Sequence, residues 1–163
     1  MIVSRSSPEQ SVAQPVIGQL IYRSISTVPA GGALEISDIL SAASDKNRER
    51  GLTGVLTVAD GHFIQVLEGD DHALDDLLGS LRQDRRHTGM VVLDRRHVAQ
   101  RDFADWAMVS PRLTPAFADR LSGLLAGAAA DLDAFLPILK SALAAQERAA
   151  EIWQSRDRSG EQA

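Results

Sequence analysis

Residues 52–69 read LTGVLTVADGHFIQVLEG, two apolar runs that meet at Asp60-Gly61. An Asp-Gly pair between alternating apolar runs predicts a β-hairpin. Side chains alternate along a strand, so Phe63, Gln65 and Leu67 share one face. Two of these three are apolar, so the face should be covered, and a buried amide without a partner costs about 1–3 kcal/mol. We therefore expect another side chain to hydrogen-bond Gln65.

The apolar periodicity predicts further elements on both sides of this hairpin. They are a strand at 17–26, a helix at 33–50, the hairpin strands at 52–58 and 62–69, a helix at 70–84, strands at 88–94 and 103–110, and two helices after Pro115. A hairpin between two helices is typical of the split βαβ arrangement, in which both helices cover one face of the sheet. The predicted fold class is α+β: a ferredoxin-like βαββαββ sheet with two helices on one face, followed by two C-terminal helices.

The composition excludes several functions. The chain has 163 residues, of which 44% are hydrophobic and 24% charged, as expected for one soluble globular domain. A net charge of −5 argues against nucleic-acid binding, which requires a basic patch. The absence of cysteine excludes disulfides, a thiol nucleophile and cysteine-ligated metals. No run approaches the ~20 apolar residues of a membrane span and no signal peptide is evident, so we expect a cytoplasmic protein without membrane partners.

Three hydrogen-bonding side chains should meet between the sheet and its covering helices. Tyr22, the only tyrosine, shares a face of the first strand with Ser24. Asn47 follows, one turn later, the apolar stripe of the first helix, Ile36, Ile39, Leu40 and Ala43. The first and third strands of such a fold are neighbours, which brings Tyr22, Gln65 and Asn47 together. The simpler alternatives are a strand tyrosine with a solvated hydroxyl and an asparagine that ends a helix.

Five stretches, each weak alone, together resemble the BLUF domain, the blue-light sensor that uses flavin. They are YRS at 22–24, KNRERGLTGVL at 46–56, HFIQVLEG at 62–69, DRRH at 84–87 and FADWAMVS at 103–110. The resemblance covers residues 19–110. It departs from the family at Ala43, often a serine, and at Lys46, which stands where some members have histidine.

The resemblance implies that FAD binds non-covalently between the two helices. Tyr22 would donate an electron and a proton to excited flavin, and Gln65 would be the amide that switches hydrogen bonds between that tyrosine and the flavin. The implied cofactor-binding residues are Asn47, Arg86, Asp84, Ser24, Lys46, Ile39, Phe63 and Leu78. Trp106 and Met108, on one face of the predicted fifth strand, would carry the signal. Without cysteine, no covalent flavin adduct can form.

The expected organisation is a flexible leader at 1–16, the BLUF domain at 17–110, a helical output or dimerisation extension at 111–155 and a disordered tail at 156–163. About 50 residues follow Ser110, too few for an attached catalytic domain, so we expect a photoreceptor and not an enzyme. The C-terminal helices should form a homodimer or cover the other sheet face, and an unidentified protein should receive the signal.

Two alternatives to a photoreceptor remain. One is a protein-interaction module without flavin, against which the complete set of Tyr22, Gln65 and Asn47 argues. The other is an acylphosphatase-like enzyme that uses Arg23 and Asn47. No glycine-rich phosphate loop follows the first strand, and fold analogy alone is weak support for a function.

Overall fold

The computed structural model describes residues 16–27, 33–126 and 132–160. Its elements are β1 (Ile17–Ser26), α1 (Ala33–Glu49), β2 (Thr53–Ala59), β3 (His62–Gly69), α2 (Asp71–Leu81), β4 (His87–Val98), α3 (Pro115–Ala126) and α4 (Leu132–Gly160). The strands form an antiparallel sheet in the order β2-β3-β1-β4. This is the predicted ferredoxin-like fold. Of the leader predicted at 1–16, residues 1–15 lie outside the described residues.

The hairpin between β2 and β3 forms where the sequence predicts it. Asp60 and Gly61 have φ angles of 48° and 71°, the left-handed values that a two-residue hairpin turn requires. The turn sets the register of β2 and β3, which places Gln65 opposite Leu56. The separate pairing of β3 with β1 places Gln65 opposite Tyr22.

The sheet has a core on each face. The α1/α2 core contains Leu20, Tyr22, Leu52, Leu56, Phe63, Leu67, Leu74, Leu77, Leu78 and Met108. The α3/α4 core contains Ile21, Val55, Ala59, Ile64, Val66, Phe103, Leu121, Phe135, Leu136, Ile138, Leu139 and Leu143. The C-terminal helices thus cover the second face of the sheet, which is one of the two arrangements expected for them.

The predicted fifth strand is the main difference. Residues 102–110, here called the edge segment, contact β2 through a single parallel bridge between Val55 and Val109. Gly54 N donates to Trp106 O at 3.0 Å, and Val109 N donates to Gly54 O at 3.2 Å. In a regular parallel ladder the N–H and C=O of one residue bond to residues two apart, but Gly54 bonds to Trp106 and Val109, which are three apart. The edge segment therefore bulges by one residue and the alternation of side chains is lost. Trp106 therefore packs against the α3/α4 core, whereas Met108 belongs to the α1/α2 core.

Three element boundaries also differ from the predictions. The helix predicted to reach residue 84 ends at Leu81, while β4 extends to Val98 through residues predicted as a connection. These polar residues pair with β1 because an edge strand needs no apolar side chains on its outer side. The tail predicted as disordered from residue 156 is helical as far as Gly160. Among the described residues, no helix is long and apolar enough to cross a membrane.

Gly54 provides a test of the close packing between β2 and β3. A Cβ atom there would lie 2.2 Å from Val66 O, so we expect Gly54→Ala to lower the free energy of unfolding by about 1–3 kcal/mol. Urea denaturation of the full chain measures this change. Gly79→Ala in α2 is the control: its Cβ would meet nothing within 4 Å, and alanine favours a helix by about 1 kcal/mol. Equal losses in the two variants would contradict this packing.

Candidate functional site

A cleft opens between α1, α2 and one face of the sheet. Its apolar walls are Ile39, Ala42, Ala43, Leu56, Phe63, Leu77 and Leu81. Its polar lining consists of Tyr22, Lys46, Asn47, Arg50, Gln65, Ser80, Asp84, Arg86 and His87. Most of the predicted cofactor-binding residues therefore surround one cavity.

Tyr22 is the hydrogen-bond partner that the sequence predicts for Gln65. Its hydroxyl donates to Gln65 Oε1, and Gln65 Nε2 donates to Met108 Sδ at 3.5 Å. Tyr22 is 2% and Gln65 4% exposed. Burial, with the negative charge of Asp84, raises the pKa of Tyr22 well above its usual value, so the phenol keeps its proton.

Asn47 connects α1 to the edge segment. Its Nδ2 donates to Ala107 O at 2.8 Å, and its backbone oxygen accepts from Leu52 N at 2.8 Å. The side chain is buried and lines the cleft. Only the backbone of Asn47 therefore takes part in ending α1, whereas its side chain lines the cleft and bonds the edge segment.

An ion pair of Asp84 and Arg86 lies at the mouth of the cleft. Arg86 Nη2 donates to Asp84 Oδ2 at 2.5 Å, and Arg86 Nε donates to Oδ1 at 2.9 Å. The hydrogen bonds from Arg86 lower the pKa of Asp84 to about 2, despite a partial burial that opposes this shift. The charged stretch at 84–87 is therefore an ordered wall of the cleft, with the more exposed Lys46 also at the mouth.

Sequence reasoning missed several cleft residues, of which His87 and Arg50 carry buried polar atoms without a partner among the described residues. The His87 ring lies near Tyr22 and Phe63, with centroid distances of 6.4 and 6.3 Å, and burial lowers its pKa. Within the described parts of the chain, both His87 ring nitrogens and Arg50 Nη1 are buried without a hydrogen-bond partner. Arg50 follows Asn47 by three residues, so helical spacing was an available signal for it. The direction of His87 depends on the turn after α2, for which no sequence signal was available.

Four predicted site residues lie outside the cleft lining: Ser24, Leu78, Trp106 and Met108. Ser24 is buried on the correct face but further along β1, and its hydroxyl has no partner among the residues described. Leu77 and Leu81, one turn apart, line the cleft, whereas Leu78 is rotated by about 100° into the core. Trp106 lies on the opposite side of the sheet from Met108, so the expectation that they share a face is wrong.

The acylphosphatase-like alternative is also wrong. Arg23 lies opposite Ile64 in the register of β1 and β3, and Ile64 belongs to the α3/α4 core. Asn47 lines the cleft on the other face of the sheet. The two side chains therefore cannot bind one phosphate.

Comparison with known proteins places this cleft in a family. The family model described as sensors of blue-light using FAD, BLUF, matches residues 17–109. The chain belongs to the BLUF family. The match runs from β1 to the edge segment, so it includes every polar residue of the cleft. The BLUF domain is a sensor module, and helices α3 and α4 lie beyond the matched residues.

Known BLUF proteins resemble this one in sequence and in structure. The photoactivated adenylate cyclase subunit beta of Euglena longa is 32% identical over 112 residues, which are 68% of this chain but only 13% of that protein. The dark-state structure of BlrB, a BLUF protein, has a TM-score of 0.68 and 28% identity, covering 78% of this chain and 98% of BlrB. Klebsiella pneumoniae BlrP1 with FMN and cyclic diGMP has a TM-score of 0.56 and 30% identity, covering 74% and 34%.

Proposed function

We propose that this BLUF protein is a blue-light photoreceptor that binds FAD non-covalently in the cleft. One observation carries the proposal: a buried tyrosine donates a hydrogen bond to a buried glutamine at the wall of an apolar cleft. Family membership supports a flavin as the ligand. Since a BLUF relative is described with FMN, the choice of FAD over FMN is part of the proposal.

The cleft has the properties that a flavin requires. Its walls offer apolar side chains to the body of an aromatic ring, and a few polar groups converge on it, as in other small-molecule sites. Asn47 and Gln65 would hold the polar ring edge, with His87 and Arg50 offering the buried nitrogens that have no partner within the described ranges. Lys46 and Arg86 at the mouth would bind phosphate groups through their positive charge.

Flavin, when bound, supplies a chromophore that absorbs blue light and takes up an electron and a proton after excitation. The raised pKa of Tyr22 keeps its phenol protonated in the dark. Tyr22 would therefore still hold the proton that it donates together with the electron. Gln65 Oε1 already accepts the hydrogen bond from that phenol. An amide carries a donor and an acceptor on one rotatable plane, so rotation of Gln65 would exchange the groups facing Tyr22 and the cleft.

The edge segment is the element through which we propose that the signal leaves the site. Gln65 contacts this segment at Met108 and Asn47 contacts it at Ala107, so rearrangement of the amide would change the contact at Met108. From there the signal would pass to α3 and α4 and to an unidentified partner protein. Trp106, which packs on the α3/α4 core, would contribute on that side of the sheet.

The purified full chain tests the proposal directly. Heat denaturation should release a flavin that chromatography identifies, and blue light should shift the flavin absorption reversibly to the red. Release of FMN alone would correct the cofactor. A colourless protein that binds no added FAD would contradict the photoreceptor function and favour an interaction module without flavin.

Asn47→Ala should weaken FAD binding more than Lys46→Ala does. Asn47 is buried, and removing a buried partner of a polar group costs about 1–3 kcal/mol, which is on the order of tenfold in affinity. Lys46 is exposed, so water replaces its contacts. Titration of the flavin-free variants with FAD, followed by fluorescence, gives both dissociation constants. Equal constants would contradict the proposed place of Asn47.

The homodimer and the cytoplasmic location stay predictions. The apolar side chains of α3 and α4, from which the dimer was predicted, largely pack against the sheet. Fewer of them are therefore left to bind a second copy. Near the end of α4, Trp153 is 75% exposed and is available for a contact between two copies. Light scattering that shows only monomer at high micromolar concentration would rule out the dimer.

A further inference from the structure

A buried polar cluster lies on the sheet face that α4 covers. We call Gln19, Thr53, Glu68 and Asp102 the Glu68 cluster. Glu68 is 0% and Gln19 1% exposed, and they lie opposite each other in β3 and β1. Glu68 Oε1 accepts from Gln19 Nε2 at 2.9 Å, and Oε2 accepts from Thr53 Oγ1 at 3.4 Å. A buried carboxyl group is costly to place here unless it is hydrogen-bonded, and both oxygens of Glu68 have donors.

The same carboxylate binds the beginning of the edge segment. Asp102 N donates to Glu68 Oε1 at 2.8 Å, and Phe103 N donates to Oε2 at 2.9 Å. A carboxylate accepts at both oxygens, so one side chain satisfies two consecutive backbone donors. Ala107 and Met108, which contact Asn47 and Gln65, follow only a few residues later. Glu68 thus holds one end of the segment and the cleft residues contact the other.

The cluster continues to α4 through two ion pairs. Lys140 Nζ donates to Asp102 Oδ1 at 2.5 Å, while Gln19 Nε2 donates to Asp102 Oδ2 at 2.9 Å. Arg96 bonds both Gln19 Oε1 at 3.0 Å and Asp133 Oδ1 of α4 at 2.8 Å. Partial burial alone would raise the pKa of Asp102, but the hydrogen bonds from Lys140 and Gln19 outweigh it and lower the pKa. Asp102 is therefore a carboxylate at neutral pH.

We propose that Glu68 is a positioning residue for the photoresponse, and that the Glu68 cluster couples the edge segment to α4 through the ion pair of Asp102 and Lys140. This inference rests on the proposed function. A displacement of the edge segment at Met108 acts on a chain whose first backbone groups are bound to Glu68. Asp102 belongs both to that chain and to the contact with α4, so the displacement reaches Lys140.

Glu68→Gln tests the positioning role with nearly unchanged volume. In this variant an NH₂ group replaces one carboxylate oxygen and faces the two donors that bonded to that oxygen. Because an NH₂ group cannot accept a hydrogen bond, the start of the edge segment is held less tightly. We expect the size of the red shift to remain, because Tyr22 and Gln65 are intact. The rate of dark recovery should change at least about threefold, which corresponds to the loss of a fraction of one hydrogen bond. Glu147→Gln, an exposed change on α4, is the matched control and should recover at the wild-type rate.

Lys140→Met tests the coupling to α4. Hydrogen exchange measured by mass spectrometry in darkness and under blue light should differ for residues 132–146 of the wild-type, flavin-loaded protein. Lys140→Met should lose most of this difference while keeping the red shift, and Lys140→Arg should retain the difference because it keeps the ion pair. This comparison decides the coupling whether or not Glu68→Gln retains flavin, and a Glu68→Gln protein without flavin would overturn the positioning role.

Failures of the two proposals give different results. A wild-type protein without a red shift overturns the proposed photoreceptor. A normal red shift without a light-dependent change in α4 exchange overturns the coupling, as does a full change in Lys140→Met. Wild-type recovery in Glu68→Gln overturns the positioning role.

Discussion

Gln65→Leu should be a yellow, flavin-loaded protein that shows no red shift under blue light. Gln65 is the cleft amide that bonds both Tyr22 and Met108, so it is the group able to exchange a donor for an acceptor. Leucine fills a similar volume but offers neither. The remaining apolar walls and Asn47 should still hold the cofactor. Absorption spectra before and after illumination measure the shift.

Trp106→Ala is the control for Gln65→Leu. The indole packs on the α3/α4 core, on the other side of the sheet from the cleft, so its removal should leave the red shift in place while the recovery rate changes. A reversible red shift in Gln65→Leu would show that the amide switch is wrong, even though the chain is a BLUF protein.

Tyr22→Phe should bind flavin and lose the normal light cycle. Phenylalanine offers neither an oxidisable phenol nor its proton, and no other tyrosine is present in the chain. The yield of the red-shifted form per absorbed photon should fall on the order of a hundredfold or more, as for removal of a positioned proton donor. Transient absorption after a blue flash measures this yield. A yield close to that of the wild type would exclude Tyr22 as the donor.

The wild-type yield should also stay constant as the pH rises through 10.0, the ordinary pKa of tyrosine. Burial and the charge of Asp84 raise the pKa of Tyr22, so the phenol remains protonated in the folded protein at that pH. A yield that falls with an apparent pKa near 10 would show that Tyr22 is exposed to solvent.

The sequence alone determined the order of the elements, apart from the predicted fifth strand, and the central pair of the site. Asp60-Gly61 predicts the hairpin because few residues accept positive φ angles, and the two-residue period of a strand then assigns Gln65 to a covered face. The cost of a buried amide predicted a partner, which is Tyr22. These arguments use only local backbone preferences and the cost of burying one amide. Both quantities can be evaluated from the residues themselves.

The tertiary structure alone decided where the edge segment and the residues bound to it lie. Its alternating pattern is typical of a strand, but the two residues that it bonds to Gly54 are three apart instead of two, so it bulges and Trp106 is separated from Met108. The position of His87 in the cleft and the four donors around Glu68 likewise depend on chain segments distant in sequence. Local periodicity contains no information on such contacts, because they form only when the sheet, the edge segment and α4 pack together.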